Sequence, residues 1–319
     1  MQMILTGRSG PDFLGSRVPE SSHVTKTCNK SAGGPIVAGR AAAVRSWLGS
    51  LRPLSSKSNA ARGNGYRFEP EVAHPLLMRL LAHAEERRDY LGRTEPYWSM
   101  LTAREFRSDT IASTKDAFYA TGAPDVALFQ AAAERCGVLL PWYGTCFELG
   151  CGVGRITPWL SEIFDHVIGA DISPSHLALA DQLIRQRRYG NIHLHLLNRL
   201  DALEALPPFE SFFSLIALQH QPPPLMYWFL RAMLEKLKPG GIGFFQLPVF
   251  ARDDAFVVSD YLENPRPHGE IEVHGLALAT VFALLESAGC DLLEMREHDC
   301  LGPYPDWLSK TFLIRKAWY

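Results

Sequence analysis

The glycine-rich segment Glu148-Leu149-Gly150-Cys151-Gly152-Val153-Gly154-Arg155 constrains the fold more than any other part of the chain. It follows an apolar run and precedes an amphipathic one, which predicts a strand, a tight turn and a helix. Glycine leaves the backbone open to close approach by a ligand. The free N–H groups and positive end of a following helix favour an anionic group such as a carboxylate. The segment therefore predicts a ligand-binding turn of an α/β fold.

The spacing of these glycines excludes two common phosphate-binding motifs. The dinucleotide fingerprint is G-x-G-x-x-G, but here the third glycine comes one residue early and Arg155 occupies the fingerprint position. The phosphate-binding loop G-x-x-x-x-G-K-[ST] is also absent after Gly150. The spacing thus disfavours a nicotinamide-dependent dehydrogenase.

A second strand, Val167-Ile168-Gly169-Ala170, ends in Asp171. An acid about 20 residues beyond a glycine turn can accept hydrogen bonds from both ribose hydroxyls of a nucleoside, and Asp171 comes 21 residues after Gly150. The alternative is that Asp171 only precedes a helix as a turn or capping residue. Ser173 is the better cap, since Pro174 suits the first helical position.

Two further strands are predicted from apolar runs. Residues 212–218 predict a central parallel strand that is buried on both faces. Prolines 222–224 then begin a helix that is expected to run to about Lys238, where Pro239-Gly240-Gly241 ends it. Residues 242–247 predict the next strand.

Taken together, residues 144–248 resemble class I S-adenosylmethionine-dependent methyltransferases, and the resemblance extends loosely to residue 316. It rests on the E-x-G-x-G-x-G motif, on Asp171 and on Leu237-Lys238-Pro239-Gly240-Gly241. Residues 218–224 and 245–248 look like a bacterial small-molecule subgroup. The resemblance implies a Rossmann-like, mostly parallel seven-stranded sheet with helices on both faces, an N-terminal helical cap and a final antiparallel strand pair. S-adenosylmethionine is the implied cofactor.

The resemblance also implies a set of cofactor-binding residues around the glycine turn and the strand ends. Adenine is usually recognised by an acid after the third strand, for which Asp201 is the nearest match and Asn198 an alternative. The predicted cofactor-binding residues are Glu148, Gly150, Cys151, Gly152, Gly154, Asp171, Ile172, Asp201 and Gln219.

Two histidines are candidate catalytic residues. His220 follows the predicted central strand, at the sheet edge where ligands bind in open α/β sheets, and a histidine suits a general base near neutral pH. The alternative is that His220 packs against the cofactor or binds backbone. His274, two residues after Glu272, is the second candidate. No metal site is predicted, because His193 and His195 share a strand face but lack a third ligand.

The chain is expected to fall into three parts. Residues 1–65 are rich in Ser, Gly, Arg and Ala and are expected to be mostly disordered, although a targeting peptide or an early start codon would look the same. Residues 66–140 would form the helical cap, whose Tyr97, Trp98 and Tyr119 either line the pocket or pack in the core. Residues 141–319 would form the methyltransferase domain, with a lid-like insertion at about 251–273.

The composition of the chain limits the classes of molecule that it is expected to bind. The formal charge of −2 gives no global field for nucleic acid or an anionic membrane, and no apolar run approaches the roughly 18 residues of a transmembrane helix. The six cysteines form no C-x-x-C pair, which favours a reducing, cytoplasmic location. We therefore expect a small-molecule acceptor, with a hydroxyl of a sugar or lipid-linked glycan as one example. The alternatives are a nucleic-acid or protein acceptor, or a non-catalytic cofactor-binding subunit; oligomeric state stays open.

Overall fold

A seven-stranded sheet forms the core of the computed structural model, which describes residues 70–251, 255–298 and 307–318. The strand order is β3-β2-β1-β4-β5-β7-β6. Strands β1 to β5 pair in parallel, whereas β7 is antiparallel to both β5 and β6. The predicted Rossmann-like sheet and its antiparallel end are confirmed. The strands are β1 (Thr145–Leu149), β2 (His166–Asp171), β3 (Ile192–Leu196), β4 (Phe209–Ser214), β5 (Leu237–Ala251), β6 (Cys290–Glu297) and β7 (Trp307–Lys316).

Helices cover both faces of this sheet, as predicted. One apolar cluster joins α1, α6, α7 and α9 to one face, and a second joins α3, α4 and α5 to the other. Within the described ranges, no helix has the length and apolar character needed to cross a membrane. The helices are α1 (His74–Thr94), α2 (Ile111–Ala120), α3 (Gly122–Arg135), α4 (Thr157–Ser161), α5 (Pro174–Arg187), α6 (Leu200–Glu204), α7 (Pro223–Lys236), α8 (Val258–Glu263) and α9 (Leu278–Ser287).

Helix α5 begins as its sequence predicts. Pro174 is its first residue, and the Ser173 side chain accepts a hydrogen bond from the His176 N–H at 3.3 Å. Helix α1 adds a second cap, because Asp89 Oδ1 accepts the Ser175 N–H at 2.9 Å. The two helices meet at Gly92, where a Cβ atom would lie 2.9 Å from Ser173 Oγ. Gly92 therefore permits close packing of the two helices, and α1 continues past it to Thr94.

The ends of β4 and β5 differ from their predicted positions. Strand β4 stops at Ser214 instead of residue 218, because Ile216 adopts a left-handed φ of 56° and Leu218–His220 forms a 3₁₀ turn. Helix α7 ends at Lys236, and β5 begins at Leu237 by pairing with Phe209 before a register shift. The Pro-Gly-Gly segment is thus an irregularity inside a strand, and not the helix terminator that was predicted.

Residues 1–65, which were predicted to be mostly disordered, lie outside the described residues. The predicted insertion contains α8 and an irregular stretch that leads into α9. We call residues 255–277 the 255–277 segment below; it contacts α1 and the 3₁₀ turn after β4.

Candidate functional site

A cavity lies at the carboxyl ends of β1, β2 and β4, where open α/β sheets bind ligands. It encloses about 730 Å³ of empty space, part of it open to solvent. Its walls combine the glycine loop, the carboxylates of Glu148 and Asp171 and two histidine rings, so the cavity can contact a polar ligand. Six of the predicted site residues line it: Glu148, Gly150, Cys151, Asp171, Ile172 and His220.

Gly150 allows the loop after β1 to pack against the end of β4. Its φ is 80°, and a Cβ atom there would lie 2.2 Å from the Ala217 Cβ. The N–H groups of Gly150 and Cys151 both donate to the Ala170 carbonyl, at 2.7 and 3.1 Å. The loop is therefore fixed to β2 on one side and has no room for a side chain on the other. Burial raises the pKa of the Cys151 thiol well above its usual range, which keeps it protonated.

Gly152 and Gly154 do not line the cavity. Both have left-handed φ angles, of 54° and 80°. A Cβ on Gly152 would lie 2.2 Å from Met100 Sδ, and one on Gly154 would lie 3.3 Å from a Leu183 methyl. In the structure these two glycines let the loop pack against the preceding cap segment and α5, and direct cofactor contact by either one stays a prediction.

Asp171 ties the end of β2 to the glycine loop. Its Oδ2 accepts the Gly152 N–H and its Oδ1 accepts the Ser173 N–H, both at 2.9 Å. A carboxylate offers about four lone pairs, so each oxygen keeps one for a further donor. Asp171 can therefore hold the loop and still accept hydrogen bonds from a diol in the cavity.

Glu148 carries an unsatisfied buried oxygen. The residue is 2% exposed, lines the cavity, and its Oε2 has no hydrogen-bond partner in the described structure. Burial raises the pKa of Glu148 to about 7. A buried acceptor without a partner is costly, so Glu148 is suited to a ligand that brings an N–H or ammonium donor.

These features fit S-adenosylmethionine. Glu148 can accept from the amino group of its amino-acid part, and Asp171 can accept from its ribose hydroxyls. Ile172 offers an apolar surface beside Asp171 for the base. Asp201, predicted for adenine recognition, has an exposed carboxylate that pairs with Arg199 at 3.1 Å and lies outside the cavity, and its role toward adenine stays a prediction.

Gln219 lies behind the cavity wall, in a polar network that sequence reasoning missed. Its Oε1 accepts from Gln246 Nε2 at 2.9 Å, while Gln246 Oε1 accepts the Ile216 N–H at 3.0 Å. A β-branched residue in left-handed conformation costs on the order of 1–3 kcal/mol. Gln246 holds Ile216 in this conformation, and Ile216 lines the cavity. The signal in the sequence was a glutamine inside the apolar run Phe244-Phe245-Gln246-Leu247.

His220 lines the cavity with a defined tautomer. Its Nδ1 lies 2.7 Å from the Glu272 carbonyl oxygen, which only accepts, so Nδ1 carries the proton. Nε2 therefore carries the lone pair, and it accepts a long hydrogen bond from Gln219 Nε2 at 3.4 Å. Burial, reinforced by the charge of Arg88, lowers the pKa of His220 to about 3. His220 is consequently a neutral hydrogen-bond acceptor over the whole physiological pH range.

His274 belongs to a polar cluster around Glu272 and does not line the cavity. Its Nε2 lies 3.5 Å from Glu272 Oε2, which also accepts the Tyr261 hydroxyl at 2.8 Å. Burial alone would raise the pKa of Glu272, but the hydrogen bonds from His274 and Tyr261 and the charge of Arg87 lower it to about 2. The cluster positions the 255–277 segment against His220, and a catalytic role for His274 stays a prediction.

The cap contributes residues that the sequence did not single out. Arg88, Ser99 and Met100 line the cavity together with His176 of α5. The His176 Nε2 lies 2.9 Å from Ser99 Oγ, and burial lowers the pKa of His176 to about 4.

The aromatic residues Tyr97, Trp98 and Tyr119 lie in the packing of the cap, which is the second of the two arrangements that the sequence left open. Tyr97 and Tyr119 are buried in an apolar cluster with Phe118, and none of the three lines the cavity. The Arg107 guanidinium lies 4.1 Å from the centre of the Trp98 ring, which also lies outside the cavity. These rings pack the cap and do not contact the ligand space.

Part of the chain is similar to known methyltransferases. Residues 147–241 match the family model described as a methyltransferase domain. Protein-L-isoaspartate O-methyltransferase 1 from Polaromonas sp. is 30% identical over 97 residues, which are 30% of this chain and 38% of that protein. The chain thus spans little more than a third of the length of the curated relative that it matches.

Two of the solved structures that resemble this chain are methyltransferases. Magnesium protoporphyrin IX methyltransferase from Synechocystis PCC 6803, with bound SAH, is 15% identical, with a TM-score of 0.49 over 74% of this chain and 100% of that one. An S-adenosylmethionine-dependent methyltransferase from Clostridium acetobutylicum is 14% identical, with a TM-score of 0.45 over 62% and 92% of the two chains. The glycine loop, the topology and the family match lead to one conclusion: residues 147–241 carry a methyltransferase domain, built on a Rossmann-like sheet of the class I type.

Proposed function

We propose that this protein transfers the methyl group of S-adenosylmethionine to a hydroxyl of a small molecule. The observation that carries the proposal is the cavity itself, which brings the glycine loop, Glu148 and Asp171 together with His220, whose Nε2 lone pair accepts one long hydrogen bond from Gln219. The residues proposed to bind the cofactor and the histidine proposed to face the acceptor thus line one cavity.

When bound, S-adenosylmethionine supplies a methyl group on a sulfonium, which is a good leaving group. With the cofactor bound, a bond would form between the acceptor oxygen and the methyl carbon as the carbon–sulfur bond breaks, and the hydroxyl proton would have to leave. The protein mainly aligns the acceptor and excludes water in such a reaction. Its residues must therefore orient the hydroxyl and take up or pass on its proton.

His220 is the residue proposed for that task. Its Nδ1–H is fixed by the Glu272 carbonyl, which leaves Nε2 to accept the hydroxyl proton. A pKa of about 3 makes His220 a weak proton acceptor, so we assign it first the orientation of the hydroxyl. Proton uptake then accompanies formation of the new bond. His274 would support His220 through Glu272, and the backbone N–H of His274 donates to the Gln219 carbonyl at 2.7 Å.

A small acceptor is favoured by the walls of the site. The cap supplies Arg88, Ser99 and Met100 on one side, and Arg87 in α1 joins the 255–277 segment through its bond to the Glu270 carbonyl at 3.1 Å. The formal charge of −2 also provides no field for nucleic acid. The curated relative is named for action on a protein residue, and a protein acceptor is the alternative. We place the activity in the cytoplasm.

The first experiment is calorimetric titration of S-adenosylmethionine and its demethylated product into the full-length chain. We expect micromolar binding that Asp171→Ala weakens at least tenfold, since it removes the ribose acceptor. Asp165→Ala is the matched control, because Asp165 is exposed just before β2. Equal binding by both variants would argue against Asp171 as the ribose ligand.

The second experiment follows radiolabelled methyl groups into small hydroxyl compounds, a protein mixture and RNA. Transfer to a small hydroxyl that falls at least a hundredfold in His220→Ala, with cofactor affinity unchanged, supports the proposal. Full turnover in that variant removes His220 from the reaction. If only protein or RNA is labelled, the acceptor is a macromolecule and not a small hydroxyl compound. Tight cofactor binding without any methyl transfer favours a non-catalytic subunit.

A further inference from the structure

A second, smaller cavity adjoins the cofactor cavity. It encloses about 290 Å³ and shares two lining residues, Arg88 and His220, with the larger one. Its apolar walls come from α1 and from the 255–277 segment, namely Ala84, Leu91, Tyr261 and Ile271. This volume includes space that is open to solvent, and the polar residues Arg87, Arg88, His220, Glu270 and Glu272 complete the lining.

The two neighbouring arginines of this cavity differ in their partners. Arg87 is fully engaged: its Nη2 lies 3.2 Å from Glu272 Oε1, and it donates to the carbonyls of Arg266 and Glu270. Arg88 makes one long hydrogen bond, from Nη1 to the Ser99 carbonyl at 3.5 Å. In the part of the chain that the structure describes, no carboxylate lies within ion-pair distance of Arg88.

A half-buried guanidinium that has no carboxylate within ion-pair distance indicates an anionic ligand. Arginine has five N–H donors and stays charged, and buried charges in proteins are normally paired. Desolvation lowers the pKa of Arg88, although the nearby Asp171 charge opposes this. Most of its donors remain available to a molecule in either cavity, and the fork geometry of the group matches a carboxylate or phosphate.

We propose that the smaller cavity holds the methyl acceptor and that Arg88 binds an anionic group, preferably a carboxylate, on that acceptor. This rests on the proposed function. The acceptor's hydroxyl then faces His220, which lines both cavities, while its apolar body contacts Leu91 and Tyr261. The substrate class is thus a small hydroxy acid with an apolar or aromatic body.

The test uses matched pairs of probes on the full-length chain, saturated with S-adenosylhomocysteine. The pairs are 4-hydroxybenzoate with 4-hydroxybenzamide, and phenyl phosphate with phenol. Calorimetry should show at least tenfold tighter binding of the carboxylate than of the amide. Arg88→Gln should remove this preference, Arg88→Lys should restore part of it, and Arg79→Gln, on an exposed part of α1, should leave it unchanged. If phenyl phosphate binds more tightly than 4-hydroxybenzoate, the anionic group of the acceptor is a phosphate, and the anion site at Arg88 is retained.

The remaining outcomes separate this proposal from the proposed function. Equal binding of the charged and neutral members of both pairs to the wild-type chain overturns the proposal, while intact S-adenosylhomocysteine binding keeps the methyltransferase assignment. A tenfold loss of S-adenosylhomocysteine affinity in Arg88→Gln, without the same loss in Arg79→Gln, also overturns it, because Arg88 would then bind the cofactor. Failure of the wild-type chain to bind S-adenosylhomocysteine removes the proposed function, and this proposal with it.

Discussion

The guanidinium of Arg87 lies 3.2 Å from the carboxylate of Glu272, and the two side chains are each only 6% exposed. This ion pair joins α1 to the 255–277 segment. The backbone carbonyl of the same glutamate holds the His220 ring. The stability of the cap and the orientation of the candidate catalytic histidine therefore depend on one residue.

Replacing Glu272 with Gln should lower the free energy of unfolding by about 3–5 kcal/mol, because it removes the carboxylate that neutralises the buried Arg87 charge. Equilibrium urea unfolding at neutral pH measures the change. Asp109→Asn is the control, since it breaks the exposed pair Arg104–Asp109 and should change stability little. If the two variants were equally stable, the buried pair would not hold the segment in place.

Gly150→Ala should abolish cofactor binding and destabilise the fold. The new methyl group would lie 2.2 Å from the Ala217 Cβ, in addition to the strain of a φ of 80°. Gly137→Ala is the control for backbone strain alone. Gly137 also has a left-handed φ, of 65°, but a Cβ atom added there would meet no neighbouring atom. We expect Gly137→Ala to cost about 1–2 kcal/mol and to bind S-adenosylhomocysteine normally. Equal effects of both substitutions on binding would contradict the packing argument.

Cofactor affinity should rise with pH through the pKa of Glu148. Burial raises that pKa to about 7, so the carboxyl is mostly neutral at pH 6 and ionised at pH 8. The ionised form pairs better with the ammonium group of the cofactor, and we expect roughly tenfold tighter binding at pH 8 than at pH 6. Calorimetry in buffers of different ionisation enthalpy should show proton release. Glu148→Gln should flatten the profile, and the exposed Glu162→Gln should not.

Stability should fall as the pH drops below 6.5, because two histidines are buried in the neutral form. Burial lowers the pKa of His176 to about 4 and of His220 to about 3, from an ordinary value of 6.5. Between these values the unfolded chain binds more protons than the folded one, so stability rises with pH, by up to about 1.4 kcal/mol per pH unit for each histidine. Urea unfolding at pH 5 and 6.5 measures the slope. His176→Gln should reduce it, whereas the exposed His166→Gln should leave it unchanged.

The parts of the site that sequence reasoning found are those specified by local signals. Gly150 and Asp171 follow short buried strands, and Ser173-Pro174 begins a helix, so a few neighbouring residues determine each position. Parallel strands bring their ends to the same edge of the sheet, which is why these separate signals converge on one cavity.

The parts that were missed depend on contacts between distant segments. Arg88 faces the cavity because α1 packs across the sheet edge, and nothing near residue 88 in the sequence specifies that packing. Gln246 acts on Ile216, which is 30 residues away, and this bond ends β4 earlier than the apolar run predicted. Asp201 followed the predicted third strand, but its side chain turned to Arg199 and solvent.

The bond from the Ser175 N–H to Asp89 has a consequence for where this chain can be divided. The first turn of α5 follows directly on Asp171, and α1 supplies an acceptor for that turn. A fragment that began at residue 141, where the glycine-loop domain starts by its sequence, would retain every residue of the sheet and yet lose this acceptor. The cap therefore supports the proposed nucleoside site as well as the proposed acceptor site. A protein that lacks the cap should bind the cofactor weakly, even when no acceptor is present.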